Sequence, residues 1–376
     1  MRTLESARDL CDQYHEGLVK ALAAIPPADR EVPGSPVIEL FRTHNGPALL
    51  IPEAFGGLGA DALDSVRVQR AVGSLSPSLA VAAAMHHFTA ATLFSLAREE
   101  GRLTPAQIEM LHGVAPGSQL MASGWAEGRT QTNILVPSVT AAATDHGYLL
   151  SGSKKPCSLA RSMDLLTTSV AVPGTDGAPE LALALTPADV PGLSVHPFWG
   201  NEVLAASESD EVRLQNVFVP AELIVRVSAD DPHRLDDLQT TGFVWFTLLI
   251  SAAYVGAASA LIEQVVECGR GSAGDRTALV VRGEAAFALL EGAARAGVAD
   301  EAAVAKVLVA RYAVQDLIAQ AVADAMELLG GIDFVRSSDN ARLAAVARAL
   351  AFHPPSRGST AEPLLRWFTG GSLELA

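Results

Sequence analysis

The side chains able to do chemistry in this 376-residue chain cluster in a few short stretches. His353 stands in Phe352-His-Pro-Pro-Ser-Arg357, where two prolines stiffen the turn around an imidazole that can give or take a proton near neutral pH. Glu362 follows the Arg357-Gly-Ser-Thr360 stretch by about one helical turn. It is either a carboxylate able to act as a base or a solvated surface group. Earlier, Met85-His-His-Phe88 places two histidines side by side. On a helix, neighbours point about 100° apart, so at most one of them, with His87 the candidate, faces any given site. They lack the i, i+4 spacing of a helical metal pair, and the plainer reading is that both are packed or on the surface. The cysteines, Cys11, Cys157 and Cys268, are three and far apart. That argues against a disulfide framework and a thiolate zinc site, and fits a reducing compartment.

The elements that must position these residues change texture twice. Residues 1–118 carry helical periodicity, with Val68, Val72 and Leu75 on one face and an Ala-rich run from Ser78 to Leu96. Residues 119–228 hold short strand-like runs, among them Tyr148-Leu-Leu-Ser, Leu165 to Val172, Leu181 to Leu185 and Val212 to Val219, separated by turn signals such as Gly174-Thr-Asp-Gly. Strands at this spacing predict a small antiparallel barrel or sandwich. Residues 229–376 return to helix, with Leu248–Cys268, Arg282–Ala296, Glu301–Leu329 and Ser338–Phe352 predicted as the members of a C-terminal four-helix bundle. The expected class is α+β: helices, then strands, then helices.

Composition narrows the function. A formal net charge of -15 repels nucleic acid and anionic membranes, so neither is an expected partner. The N-terminus lacks the apolar core of a signal peptide. The most apolar stretch, Phe243 to Ala260, is interrupted by Trp245, Thr247, Ser251, Tyr254 and Ser259 and falls short of the roughly 18 unbroken residues of a membrane span. The expectation is a soluble, cytoplasmic protein.

Five local signals in order give the chain a likeness. Pro52-Glu-Ala-Phe-Gly-Gly-Leu-Gly59, Ser123-Gly-Trp-Ala-Glu-Gly-Arg-Thr-Gln-Thr132, Tyr148-Leu-Leu-Ser-Gly-Ser-Lys-Lys-Pro-Cys-Ser158, Val212-Arg-Leu-Gln-Asn-Val-Phe-Val-Pro220 and Glu327-Leu-Leu-Gly-Gly331 follow one another. Taken together they resemble the acyl-CoA dehydrogenase superfamily over nearly the whole chain. The resemblance implies FAD, rather than FMN, held between the middle domain and the C-terminal bundle in a homodimer or homotetramer. By position, Trp125, Ala126, Glu127 and Thr132 would lie along the flavin and its phosphates, and Pro156 and Ser158 beside the isoalloxazine, where Ser158 is expected to donate a hydrogen bond. Arg270 or Arg276 would reach a phosphate, although the family's "R-x-x-F-G" is missing there. Gly330 and Gly331 match the family's "Q-x-x-G-G" turn. Two further departures are Ala126 in place of a threonine and Pro156 in place of a tryptophan.

The largest departure concerns the base. The family places a glutamate either late, in "E-G-T", or on the first bundle helix, to take the α-proton opposite the flavin. Arg357 and Phe246 occupy those two places here, and neither serves: arginine keeps its proton in a protein and phenylalanine has none to exchange. Arg357 is expected to bind an anionic group or to fill the site, and His353 to stand at the cavity mouth. Some relatives on this fold lack the glutamate and are flavin monooxygenases that hydroxylate phenols, indoles or amines. The favoured expectation is therefore an oxygenase-like enzyme of a biosynthetic pathway, fed by a flavin reductase or another electron-transfer partner. The alternatives are an acyl-CoA or acyl-carrier-protein dehydrogenase using Glu362, acting on a carrier-bound acyl substrate instead of a small molecule, and a non-catalytic flavin-binding or partner subunit.

Overall fold

A computed structural model describes residues 1–125, 137–174, 179–226, 237–297 and 300–375. The N-terminal helices are α1 (Arg2–Tyr14), α2 (Leu18–Ala23), α3 (Pro27–Arg30), α4 (Val37–Thr43), α5 (Ala62–Leu75), α6 (Pro77–Leu96) and α7 (Pro105–His112). Their starts follow local chemistry. The Asp61 side chain accepts from Asp64 N at the head of α5, and Thr104 and Gln107 close a reciprocal cap on α7. The head of α6 is capped by Ser76, whose hydroxyl is in turn bound by buried Glu31.

The middle region is one eight-stranded sheet: β1 (Met121–Gly124), β2 (Thr140–Thr144), β3 (Gly147–Cys157), β4 (Leu165–Pro173), β5 (Pro179–Pro187), β6 (Leu193–His196), β7 (Asp210–Pro220) and β8 (Ile224–Arg226). The order β6-β7-β3-β2-β4-β5-β8 is antiparallel except around β4, which β1 joins in parallel along Leu165–Thr168 and β2 at Ala171. The expected all-antiparallel pattern is corrected there. β1 and β2 share one edge of β4 in tandem, and β1 enters from the helical region rather than from a hairpin.

The C-terminal elements are α8 (Asp237–Glu267), α9 (Ala273–Ala294), α10 (Glu301–Leu329), α11 (Gly331–Arg336), α12 (Ser338–Arg348) and α13 (Arg357–Phe368). Helices α8, α9, α10 and α12 pack together as a bundle, but α8 packs at least as extensively on α5 and α6. At that crossing the backbones touch. A Cβ on Gly73 would lie 2.3 Å from the Ala253 carbonyl oxygen, and one on Gly256 2.4 Å from that of Arg70. Both α6 and the stretch Leu238–Glu267 are long and apolar enough to cross a membrane. Each has 89% of its most apolar window buried inside the protein, which makes them core helices.

Candidate functional site

The sheet and the helices enclose a cavity of about 770 Å³, within the range of roughly 300–1,000 Å³ typical of ligand clefts. One wall comes from the sheet and its connections: Ser123, Trp125, Pro156, Ser158, Ser169 and the Ser207–Ser209 segment. The facing wall comes from α6, α8 and the turn after α12: Met85, Phe88, Phe243, Phe246, Tyr254 and His353.

Trp125 follows β1 and anchors its indole N–H on Thr167 Oγ1 at 2.8 Å. Its ring meets Phe88 edge-on, with centroids 5.3 Å apart. The indole needs room that only glycine leaves on α8, because a Cβ on Gly242 would sit 2.8 Å from Trp125 Cζ3. Phe246 meets Phe88 at 5.6 Å and His353 at 5.9 Å, both edge-on. The helix position at which an acyl-CoA dehydrogenase would carry its carboxylate is thus part of an aromatic wall.

His353 Nε2 lies 2.6 Å from the hydroxyl of fully buried Tyr254. Burial pushes the Tyr254 phenol above its ordinary range, so it keeps its proton and donates. Burial and, secondarily, the Arg311 charge hold His353 down to about 3, so the imidazole is neutral. With Nε2 accepting, the ring proton resides on Nδ1. Arg311, itself buried on α10, donates to the carbonyls of Pro354 (3.0 Å), Leu350 (3.4 Å) and His353. One guanidinium thereby fixes the turn that carries the histidine. Neither Tyr254 nor Arg311 stands out in the sequence as a site residue. The signal that could have found Arg311 is a lone cation among the alanines and valines of an otherwise apolar helix face.

Other candidates lie elsewhere. His87 is buried and does not line the cavity. Its ring packs edge-on to Phe41 at 5.6 Å, and burial holds it neutral, well below its ordinary range. His86 is structural too: Nε2 meets the Pro47 carbonyl at 2.8 Å and Nδ1 accepts from Met121 N at 3.0 Å. Arg357 does not fill the site. It sits at the head of α13, exposed, and chelates Asp316 of α10 at 2.8 and 3.2 Å. The Glu362 side chain is 85% exposed, 3.6 Å from Arg366, and no part of the cavity lining. Both corrections have one cause: α13 turns its first two turns toward α10 and solvent. Arg270 is exposed in the turn after α8, Gly330 links α10 to α11 and Gly331 opens α11; none of them lines the cavity. Ala126, Glu127 and Thr132 lie outside the described residues. Trp125, Pro156 and Ser158 do come together on one wall. No group of three metal-ligating side chains occurs among the described residues.

No family model matches the chain. A curated protein described as isobutylamine N-hydroxylase, from Streptomyces viridifaciens, is 56% identical over the full length of both chains. The chain belongs to the acyl-CoA dehydrogenase-fold flavoproteins. Two solved structures share the fold across nearly everything. KijD3 in complex with FMN and a dTDP-amino-keto sugar has a TM-score of 0.85 at 22% identity, covering 97% of this chain and 94% of that one. XiaF from Streptomyces sp., in complex with FADH2 and glycerol, has a TM-score of 0.79 at 18% identity, covering 99% and 98%. The flavoprotein described here is an oxidoreductase with an oxygenase-like site, not a standard α,β-dehydrogenase: Phe246 and Arg357 occupy the two places where that reaction needs a carboxylate, and no Asp or Glu is among the described residues that line the cavity.

Proposed function

We propose that this flavoprotein N-hydroxylates a small aliphatic primary amine, taking its electrons from reduced FAD, with FMN the alternative, supplied by a separate reductase. The observation that carries this reading is the Phe246–His353–Tyr254 wall. It offers an aromatic surface and a neutral N–H donor, and no carboxylate to abstract an α-proton. Support comes from the relative's N-hydroxylase description. The cavity suits a flavin: hydroxyls line the sheet side for a polar ring edge, and Trp125 and Pro156 give a flat apolar face for its body. Arg348, exposed at the end of α12 where it lines the cavity, is the cation offered to a flavin phosphate.

Bound reduced flavin supplies the two electrons that split dioxygen, one oxygen atom entering the amine as hydroxylamine and the other leaving as water. The residues do the rest. Phe88, Trp125, Phe243 and Phe246 exclude water from the reacting centre. The Nδ1–H of His353 stabilises the charge that develops on the departing oxygen, and the small cavity restricts the amine to a short chain. Exposed Ile332, Phe334 and Val335 of α11, 70%, 60% and 81% accessible, form an apolar face that supports assembly as a homo-oligomer.

The test is to mix anaerobically reduced enzyme with isobutylamine and ¹⁸O₂ and to follow the product by mass spectrometry. One labelled oxygen in an N-hydroxylamine is expected. Bleaching of the oxidised enzyme by acyl thioesters, with no amine oxidation, would overturn the reading.

A further inference from the structure

Three hydroxyls in the sheet wall form a chain whose polarity can be read off. Ser207 Oγ stands 2.7 Å from the Leu204 carbonyl, and a carbonyl only accepts. Serine has one proton, so Ser207 spends its proton there. Ser209 Oγ, 2.7 Å from Ser207 Oγ, must then donate to it. Ser158 Oγ, 2.8 Å from Ser209 Oγ, must donate in turn. The chain ends at Ser158 with lone pairs and no free proton, the reverse of the donor expected from the sequence. Ser169, on the same wall, repeats the pattern: it accepts from Lys154 Nζ at 2.9 Å and gives its proton to the Trp125 carbonyl at 3.0 Å.

The backbone is shaped around the chain. Leu159, Leu204 and Glu208 all have positive φ, 63°, 63° and 53°, a conformation uncommon for residues other than glycine and often found where a site is being held. Leu159 N and Ala160 N bond the carbonyls of Ser207 and Glu208 at 3.1 and 3.2 Å, fastening the two serine-bearing segments to each other.

A primary amine has two N–H bonds and one lone pair. A hydroxyl that donated to it would occupy the lone pair and quench the nucleophile; one that accepts from it holds an N–H and leaves the lone pair free for oxygen. We infer that Ser158 is the acceptor subsite for an N–H of the amine substrate, with Ser209 and Ser207 as positioning residues that keep its proton turned away. This rests on the N-hydroxylase reading. A ring N–H of bound flavin presents the same chemistry, so the test separates the two.

Equilibrium binding of isobutylamine and of N,N-dimethylisobutylamine, which as free base has no N–H, is measured on the oxidised flavin-loaded enzyme, where no turnover occurs. The pH is chosen to give both amines a comparable free-base fraction. Ser158→Ala is expected to weaken isobutylamine by about three- to tenfold and to leave the tertiary amine unchanged; Ser158→Thr is expected to restore the wild-type preference. Ser209→Ala frees the Ser158 proton. It is expected to tighten the tertiary amine severalfold and, in turnover, to divert oxygen from hydroxylamine to hydrogen peroxide. Equal weakening of both amines in Ser158→Ala, or an unchanged preference in Ser209→Ala, overturns the proposal. So does weaker binding of reduced FAD in Ser158→Ala with the amine preference intact, which assigns the N–H to the flavin. A wild-type enzyme that binds neither amine fails the N-hydroxylase reading itself, a different result from altered variants of an amine-binding enzyme.

Discussion

The two walls of the cavity solve different problems. The sheet wall holds its hydroxyls by short bonds to backbone carbonyls and to one another, so each proton has a fixed destination. The helix wall is aromatic and carries His353, whose state is set by its hydrogen bond from Tyr254 and by Arg311, which holds the turn. The first wall accepts and the second donates. An amine between them has its N–H bonds held on one side, while the departing oxygen is met on the other. A carboxylate on the helix wall would reverse that polarity, and Phe246 excludes it.

The sharpest way to break this contrast is His353→Ala. Removing a positioned proton donor costs about 10²- to 10⁴-fold in turnover, so hydroxylamine formation should fall by that order while flavin binding persists, as single-turnover product assays and the flavin spectrum would show. Tyr254→Phe should cost about tenfold, one hydrogen bond's worth, because Nε2 is released and the ring proton is no longer confined to Nδ1. Gly242→Ala attacks both walls where they meet, at Trp125. Overpacking of this kind costs about 1–3 kcal/mol, which a lower Tm and a quenched or shifted Trp fluorescence would report.

Acid should act through the buried imidazoles. His15 and His86 are held down to about 4 and His353 to about 3 by burial. The unfolded chain takes up protons near 6.5 while the folded one does not. Stability is therefore full above that value and is lost as pH falls through the window between about 6.5 and 4, on the order of 1.4 kcal/mol per histidine per pH unit. Tm measured across that window should drop on the acid side. Smallest of all, Arg357→Ala and Glu362→Ala should leave turnover within about twofold and stability within about 0.5–1 kcal/mol, since both sit on solvent-facing ion pairs. A large loss of turnover in either variant would place α13 at the reacting centre.

The fold was legible where periodicity is long or alternation clear. Glu301–Leu329 is α10 to the residue, and the runs Leu165–Val172 and Leu181–Leu185 lie inside β4 and β5. The strand β1 was not legible: Met-Ala-Ser-Gly has no β-branched residue, and its strand state comes from pairing with β4 forty residues on. At the site, the absence of the base could be read from Phe246 and Arg357 together. The replacement could not, because Tyr254 reaches His353 across 99 residues and Arg311 across 42. Arg357 was misjudged for the same reason: its partner Asp316 lies on another helix, and no local pattern shows which way α13 turns.

The glycine contact between α5 and α8 sets a mechanical datum. Tyr254 follows directly on Ala253, whose carbonyl would collide with any side chain at Gly73. The height and rotation of α8 are thereby gauged against the N-terminal helices with less than a methyl group of play. Phe243 and Phe246, about three and a half and about three turns before Gly256, ride on that gauge and do not define it. Trimming them should widen the cavity for longer amines while the Tyr254–His353 pair keeps its alignment, so substrate length and catalytic alignment can be adjusted on separate screws.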